Sequence, residues 1–381
     1  MITEEKKCSR CILDSNLPGI EFDEKGECNY CKLFEDLEKE YPLGKEGEKN
    51  LQALITKIKA AGEGQKYDCV VGVSGGTDST YVLYEAVKLG LRPLAVHFDN
   101  GWNSEIAVNN IQQACQTLGV DLFTYVVDWE EFKNLQLSFL KASTPDLEIP
   151  TDLGIVSILY RVAAQHGITN ILNGVNFRTE GNMPFGWVYA DGKYIKSVHK
   201  KFGSVPLKTF PNLTLLDIFY YTMVKRIKVV RFLNYFSYSK TAAREVLERN
   251  VGWKYYGGHH FESIYTRFFQ GYISPEKFKM ERRVISLSAQ VRSGLLDRQN
   301  ALEMIRENHY PEGQAKHDKE YIAKKFDLSI EEFEKLLAYE PKRFLDYPTY
   351  YPLLRKLKGV IKIAARLKII PVVYHDKKYS L

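Results

Sequence analysis

The sequence predicts an α/β fold: a parallel, doubly wound sheet, preceded by a small four-cysteine module and followed by a mostly helical C-terminal region. Three observations carry this. From residue 66 to about 175, short β-branched apolar runs alternate with helical patterns, as in a parallel sheet covered on both faces. The first run, Tyr67 to Val73, breaks into Ser74-Gly75-Gly76-Thr77-Asp78-Ser79 and then a helical pattern. Two Cys-x-x-Cys pairs, Cys8/Cys11 and Cys28/Cys31, come before it. The chain divides accordingly into residues 1–64, 65–210 and 211–381.

Composition sets the bounds. The 381 residues suffice for a large core. A net charge of +6 permits an anionic substrate without demanding nucleic acid, and no nucleic-acid partner is expected. The stretch Met1 to Cys8 has no apolar signal region. Lys362, Arg366 and Lys368 interrupt the best candidate for a membrane span. A cytoplasmic protein is expected.

The cysteine pairs are separated by 16 residues, with Asp23 to Gly26 reading as a hairpin turn. Each pair aims two thiolates at one point, and together they predict a closed, structural zinc site of Cys8, Cys11, Cys28 and Cys31. So small a segment has little apolar surface, so the metal supplies its folding energy. Next comes a charged helical stretch with Leu51, Leu54, Ile55 and Ile58 on one face, ended by Gly62 and Gly64.

Strands are expected at 68–73, 93–98, 121–127 and 168–173, and helices at 79–89, 104–118, 130–141 and 152–166. Ligands of such sheets bind beyond the carboxyl ends of the strands. The loop after the first strand is a phosphate site: its amides converge, and the following helix adds positive charge. Its candidate ligands are Val73, Ser74, Gly75, Gly76, Thr77, Asp78 and Ser79, with Asp78 also suited to magnesium. A Walker loop is excluded, since no lysine lies between Lys66 and Lys88. A dinucleotide fingerprint fails because position 79 is serine. Phe98 and Asp99 end the second strand, and Gly174 and Asn176 follow the fourth, with Glu180 beyond. Cys69 and Cys115 read as buried small hydrophobes.

Residues 185 to 210 carry several lysines, of which Lys200 is the candidate for stabilising a leaving phosphate group. From Leu213 the pattern is nearly all helix, with starts at Ser274-Pro275, Asp297 and a capping box at Ser329 and Glu332. Counting helically from His260 puts Ser263, Ile264 and Arg267 on one side, with Glu262 beside them. His260, Glu262 and Arg267 are therefore candidates for anion binding or proton transfer. Leu353 to Leu367 form an apolar helix face flanked by basic residues and no acid. That suits peripheral contact with an anionic membrane, a partner, or the chain's own core.

Ser-Gly-Gly-x-Asp-Ser after a strand resembles the pyrophosphate loop of the ATP pyrophosphatases, a PP-loop or HUP-like fold. Taken with the cysteine pairs, Asn173 to Asn176, Trp187 to Gly203 and Gly258 to Arg267, the chain resembles the N-acetyl sugar amidotransferases of bacterial surface-polysaccharide and lipopolysaccharide biosynthesis. The resemblance implies conversion of an acetamido group on a UDP-linked sugar to acetamidino, using ATP and magnesium beside the structural zinc. In that reading Phe98 packs the adenine, Asp99 binds the ribose, Gly174 lets the chain pass close to the nucleotide, and Asn176 and Glu180 reach a second metal position or the substrate. No glutaminase pattern is apparent, so ammonia is expected from a separate glutaminase with a cyclase-like partner. The rivals are a tRNA-thiolating enzyme with the same loop and a non-catalytic nucleotide-binding scaffold.

Overall fold

Strands β1 (Cys69–Gly72), β2 (Pro93–Asp99), β3 (Leu122–Val126), β4 (Asn170–Asn173) and β5 (Lys228–Arg231) form one sheet in the order β3-β2-β1-β4-β5, every pair parallel. The computed structural model describes residues 6–258, 261–308 and 310–359. The register sets Gly72 against Val96 and Val70 against Ile171. Because the chain moves outward from β1 to β3 and then returns to β4, strand order reverses between β1 and β4. That is where a doubly wound sheet opens a crevice beyond its strand ends.

Helices α1 (Asn29–Glu40) and α2 (Gly44–Ala61) precede the sheet. Helices α3 (Thr77–Lys88), α4 (Glu105–Leu118), α5 (Trp129–Ala142) and α6 (Ile149–Gln165) fall within one to three residues of the four expected. Successive residues of β1 feed opposite faces, as the period of two requires. Val70 packs in one core with Leu94, Ile158 and Ile171, while Cys69 and Val71 pack in the other with Val82, Leu83 and Leu172.

Beyond β4 lie α7 (Gly192–Phe202), α8 (Leu215–Phe219), α9 (Lys240–Val251), α10 (Ile264–Phe268), α11 (Ser274–Phe278), α12 (Arg283–Arg292), α13 (Arg298–Met304), α14 (Glu312–Lys325), α15 (Ile330–Leu337) and α16 (Tyr351–Lys356). One expectation needs correction. The sheet draws β5 from the segment read as helical, because the outer edge of β4 needs a hydrogen-bonding partner and only four residues supply it. Ser274-Pro275 does start α11, with Pro275 in its first turn, and α10 leads into it through a π turn (Phe269–Ile273). Asp297 and Ser329 do cap their helices.

The cysteine module docks on the helical region. Its sulfurs pack against Trp187, Met280 and Ile285, and Arg298 donates to the carbonyls of Cys8 and Cys11 at 3.1 Å each. No helix among the described residues is long and apolar enough to cross a membrane. Most of the basic C-terminal helix read from the sequence lies outside the described residues; within them, Leu353 and Leu357 are exposed.

Candidate active site

The loop after β1 owes its shape to Gly75 and Gly76. Gly75 has φ +78°, and a Cβ there would meet the Ala107 carbonyl oxygen at 2.2 Å, so only glycine fits. Its own carbonyl accepts from the Trp253 indole at 2.9 Å, which ties the loop to the segment after α9. Ser74 and Ser79 hydroxyls meet at 3.2 Å, and Ser79 Oγ accepts from the Ser74 amide, also at 3.2 Å. Gly76 is the N-cap of α3 and has no side chain with which to cap it. Its N-terminus therefore presents backbone donors and partial positive charge to a cavity of about 220 Å³ lined by Ser74, Gly76, Thr77, Asp78, Ser79 and Gly174 among others.

Charged side chains complete this cavity. The Lys240 ammonium lies 2.9 Å from Asp78 Oδ2 and 3.6 Å from Glu180 Oε1, and the Tyr238 hydroxyl donates to Asp78 Oδ1. Burial disfavours the lysine charge, but Asp78, Glu180 and Glu262 outweigh it and hold its pKa above the ordinary lysine value. Arg244 and Tyr256 line the same wall, as does Glu262. Two carboxylates, Asp78 and Glu180, converging on one cation make a donor set that fits a divalent ion.

A second cavity, about 420 Å³, adjoins the first at Ser74, Gly174 and Glu262. It lies beyond the ends of β1, β2 and β4 and is walled by Val73, Phe98, Ile155 and Leu159. His97, 6% exposed, faces it. Asn103 Nδ2 donates to His97 Nε2 at 3.2 Å, so the proton sits on Nδ1 and is donated to the Val73 carbonyl at 2.9 Å. Burial pushes the ring's pKa below the ordinary histidine value. Glu148 is buried in the same cavity, where Thr266 donates to it at 2.7 Å. Burial, then the charge of Asp152, pushes its pKa up to about 8.

The four sulfurs of Cys8, Cys11, Cys28 and Cys31 are buried and lie within 4.8 Å of one another. Their short edges are 3.6 to 3.7 Å. Thiolates about 2.3 Å from one tetrahedral ion lie about 3.8 Å apart, so these residues fit a single metal ion.

The structure brings Val73, Ser74, Gly76, Thr77, Asp78, Ser79, Gly174 and Glu262 to the two adjoining cavities, with Gly75 shaping the loop and Phe98 walling the second. Gly174 is needed where it stands: a Cβ would sit 3.1 Å from Asp78. Four expectations are corrected. Lys200 is exposed on α7 and lines neither cavity, because α7 packs on α5 and α6, away from the loop; Lys240 occupies the place foreseen for it. Asn176 is fully buried with both ends committed, donating to the Leu233 carbonyl and accepting from the Arg178 and Thr179 amides. Asp99 accepts from the Gly101 amide and shapes the turn after β2. Arg267 is locked to Asp318 by two bonds of 2.6 Å. Helix α10 begins only at Ile264 with Ser263 as its cap, so Glu262 precedes the helix rather than riding on it. His260 lies outside the described residues.

Sequence reasoning missed Lys240, Tyr238, Tyr256 and Glu148. Lys240 left a signal: it is the first residue after the Ser239 cap of α9. A lysine there opposes the helix dipole, which asks for a nearby anion.

Residues 262–358 match the family model for LPS biosynthesis protein WbpG-like, C-terminal domain, and residues 68–180 match that for queuosine biosynthesis protein QueC. No match was found among curated proteins. Among solved structures, the chain is similar to an NMN synthetase from Francisella tularensis, with 17% identity over 54% of this chain and 95% of that one, at a TM-score of 0.27. It is also similar to an NH3-dependent NAD synthetase from Campylobacter jejuni, with 17% identity over 54% and 85% of the two chains, at a TM-score of 0.29. A U34-tRNA thiolase NcsA from Methanococcus maripaludis, solved with its [4Fe-4S] cluster, shares 13% identity over 81% and 90%, at a TM-score of 0.33.

Proposed function

We propose, on the premise that this chain is a PP-loop protein carrying a WbpG-like C-terminal domain, that it is an ATP-dependent N-acetyl sugar amidotransferase. It adenylates the acetamido oxygen of a sugar nucleotide in surface-polysaccharide biosynthesis and replaces that oxygen with nitrogen. The observation that carries this reading is the uncapped start of α3, with Ser74, Ser79, Asp78 and Lys240, facing a cavity continuous with an apolar one at the strand ends. The first suits a triphosphate tail and the second its nucleoside.

An amide resists ammonia because its oxygen leaves poorly. In the first half-reaction that oxygen attacks the α-phosphorus, the α–β bridge breaks and pyrophosphate departs. Loop amides and Lys240 stabilise the charge that builds on it; magnesium, when bound, adds neutralisation of the phosphates. In the second half ammonia adds to the amide carbon and gives up a proton, AMP leaves with the original oxygen, and an amidine remains. In this reading Glu262, which lines both cavities, takes that proton.

Zinc is the ion proposed for the four cysteines, in a structural role. Burial raises the pKa of both other thiols, Cys69 and, to about 11, Cys115; neither is the exposed, acidic cysteine that thiolation needs. Ammonia is assigned to a separate glutaminase with a cyclase-like partner.

The test is direct. The protein is incubated with ATP, magnesium, ammonium and a panel of diacetamido sugar nucleotides, and the products are weighed. A loss of about one mass unit, with AMP and pyrophosphate released, is expected. Formation of ADP, or a product of unchanged mass across the panel, contradicts the reading.

A further inference from the structure

A third cavity, of about 470 Å³, lies between Glu180–Met183, the π turn after α10 and α12. It meets the phosphate cavity at Val175 and Glu180, and the nucleoside cavity at Gln270 and Arg282. Its volume is that of a small-molecule site. Phe261 and Tyr310 supply aromatic wall.

Three guanidinium groups line it, and two are already committed. Arg267 is bound to Asp318. Arg283 bonds Glu281 and the carbonyls of Met304, Ile305 and Glu307. Arg282 differs. It is 8% exposed, yet its Nε and Nη2 make no hydrogen bond. It forms an ion pair with the buried Asp146 carboxylate at 3.5 Å, long for a hydrogen bond, and its guanidinium lies 4.7 Å over the Phe269 ring. Asp146 balances the charge, but buried donors left unbonded are costly unless a ligand completes them. The planar fork accepts two oxygens of one phosphate or carboxylate.

We propose that this cavity holds the acceptor, an anionic acylamino sugar, with one acid group on Arg282 and its amide directed to the junction with the phosphate cavity. The acid is a phosphate of a nucleoside diphosphate or a carboxylate of the sugar. The inference rests on the adenylation reading above, which leaves the acceptor's seat unassigned. It also explains why Arg282 borders both the second and third cavities: the amide oxygen has to meet the α-phosphorus where they join.

The test titrates the full chain, saturated with α,β-methylene-ATP, with two probes. UDP-N-acetylglucosamine offers a diphosphate; N-acetylneuraminate offers a carboxylate without phosphate. At least one is expected to bind, and the one that binds identifies the anion. Arg282→Gln should weaken it by about tenfold or more, the share of charge-assisted hydrogen bonds, and by more than it weakens the nucleotide. Met183→Trp, at the partly exposed rim, guards against misfolding of the first variant. It should block the probe by filling the cavity and spare the nucleotide. Unchanged probe binding in both variants overturns the assignment, as does a wild-type protein that binds the nucleotide analogue and neither probe. A wild-type protein that fails to bind the analogue at all brings down the adenylation reading, and this assignment with it.

Discussion

Lys240 holds Asp78 from one side at 2.9 Å while the Tyr238 hydroxyl donates to it from the other. The acid at the start of α3 is thus fixed by residues about 160 positions away in the chain, and the cation beside the loop is fixed with it. Lys240→Ala should lower the rate of pyrophosphate release by about 100-fold or more, the usual effect of removing one donor from a developing anion. Lys200→Ala should change it by less than about twofold, as for an exposed residue outside the site. Coupled-enzyme detection of pyrophosphate measures both.

Asp78→Asn keeps the shape and removes the charge. It should abolish magnesium-dependent AMP formation while the far-ultraviolet circular dichroism stays that of the wild type. Undiminished AMP formation by the variant would remove Asp78 from the metal role.

The four-cysteine site should carry one zinc ion per chain and no iron or sulfide, as measured by elemental analysis of the purified protein. Because the module also packs on Trp187, Met280 and Ile285, chelation should loosen that contact as well as the module. Protease cleavage near residues 6–31 and a lower melting temperature are the expected signs.

Glu148 gives stability a pH dependence of definite sign. Its folded pKa, about 8, lies above the ordinary glutamate value, so between those two values the folded state holds a proton that the unfolded chain has lost. Stability from this group is complete below the unfolded value and falls as pH rises towards 8. Melting curves from pH 5 to 8 should therefore decline more steeply for the wild type than for Glu148→Gln. Parallel declines would place Glu148 in an ordinary ionisation state.

Asn176→Ala separates structure from binding. The variant orphans the Leu233 carbonyl and two amides, which should cost about 1–3 kcal/mol of stability in chemical denaturation. Nucleotide affinity of the folded variant should stay within about twofold of wild type.

Much of the fold was legible because local signals agreed. The β-branched run and the Gly-Gly break both point to strand–loop–helix around Ser74 to Ser79, and the cysteine spacing points to one metal centre. What escaped was set by tertiary contact. Strand β5 is four residues of an edge, too short for a period to show among helical neighbours. Asn176 looked like a ligand because loop asparagines after a strand do either job, and only burial decides. Lys200 and Lys240 are both lysines in helices; which one reaches the loop depends on how α7 and α9 pack, and no local pattern records that. Arg282 shares that history: nothing near it in sequence marks its unbonded donors between two cavities.

The central claim is that the loop grips ATP so that AMP is attached to an amide oxygen. It is tested most directly by supplying a sugar nucleotide whose acetamido oxygen is ¹⁸O and weighing the AMP formed with ammonium present. The account predicts that the label appears in the AMP phosphate in step with amidine formation. AMP carrying only unlabelled oxygen while amidine accumulates would contradict it.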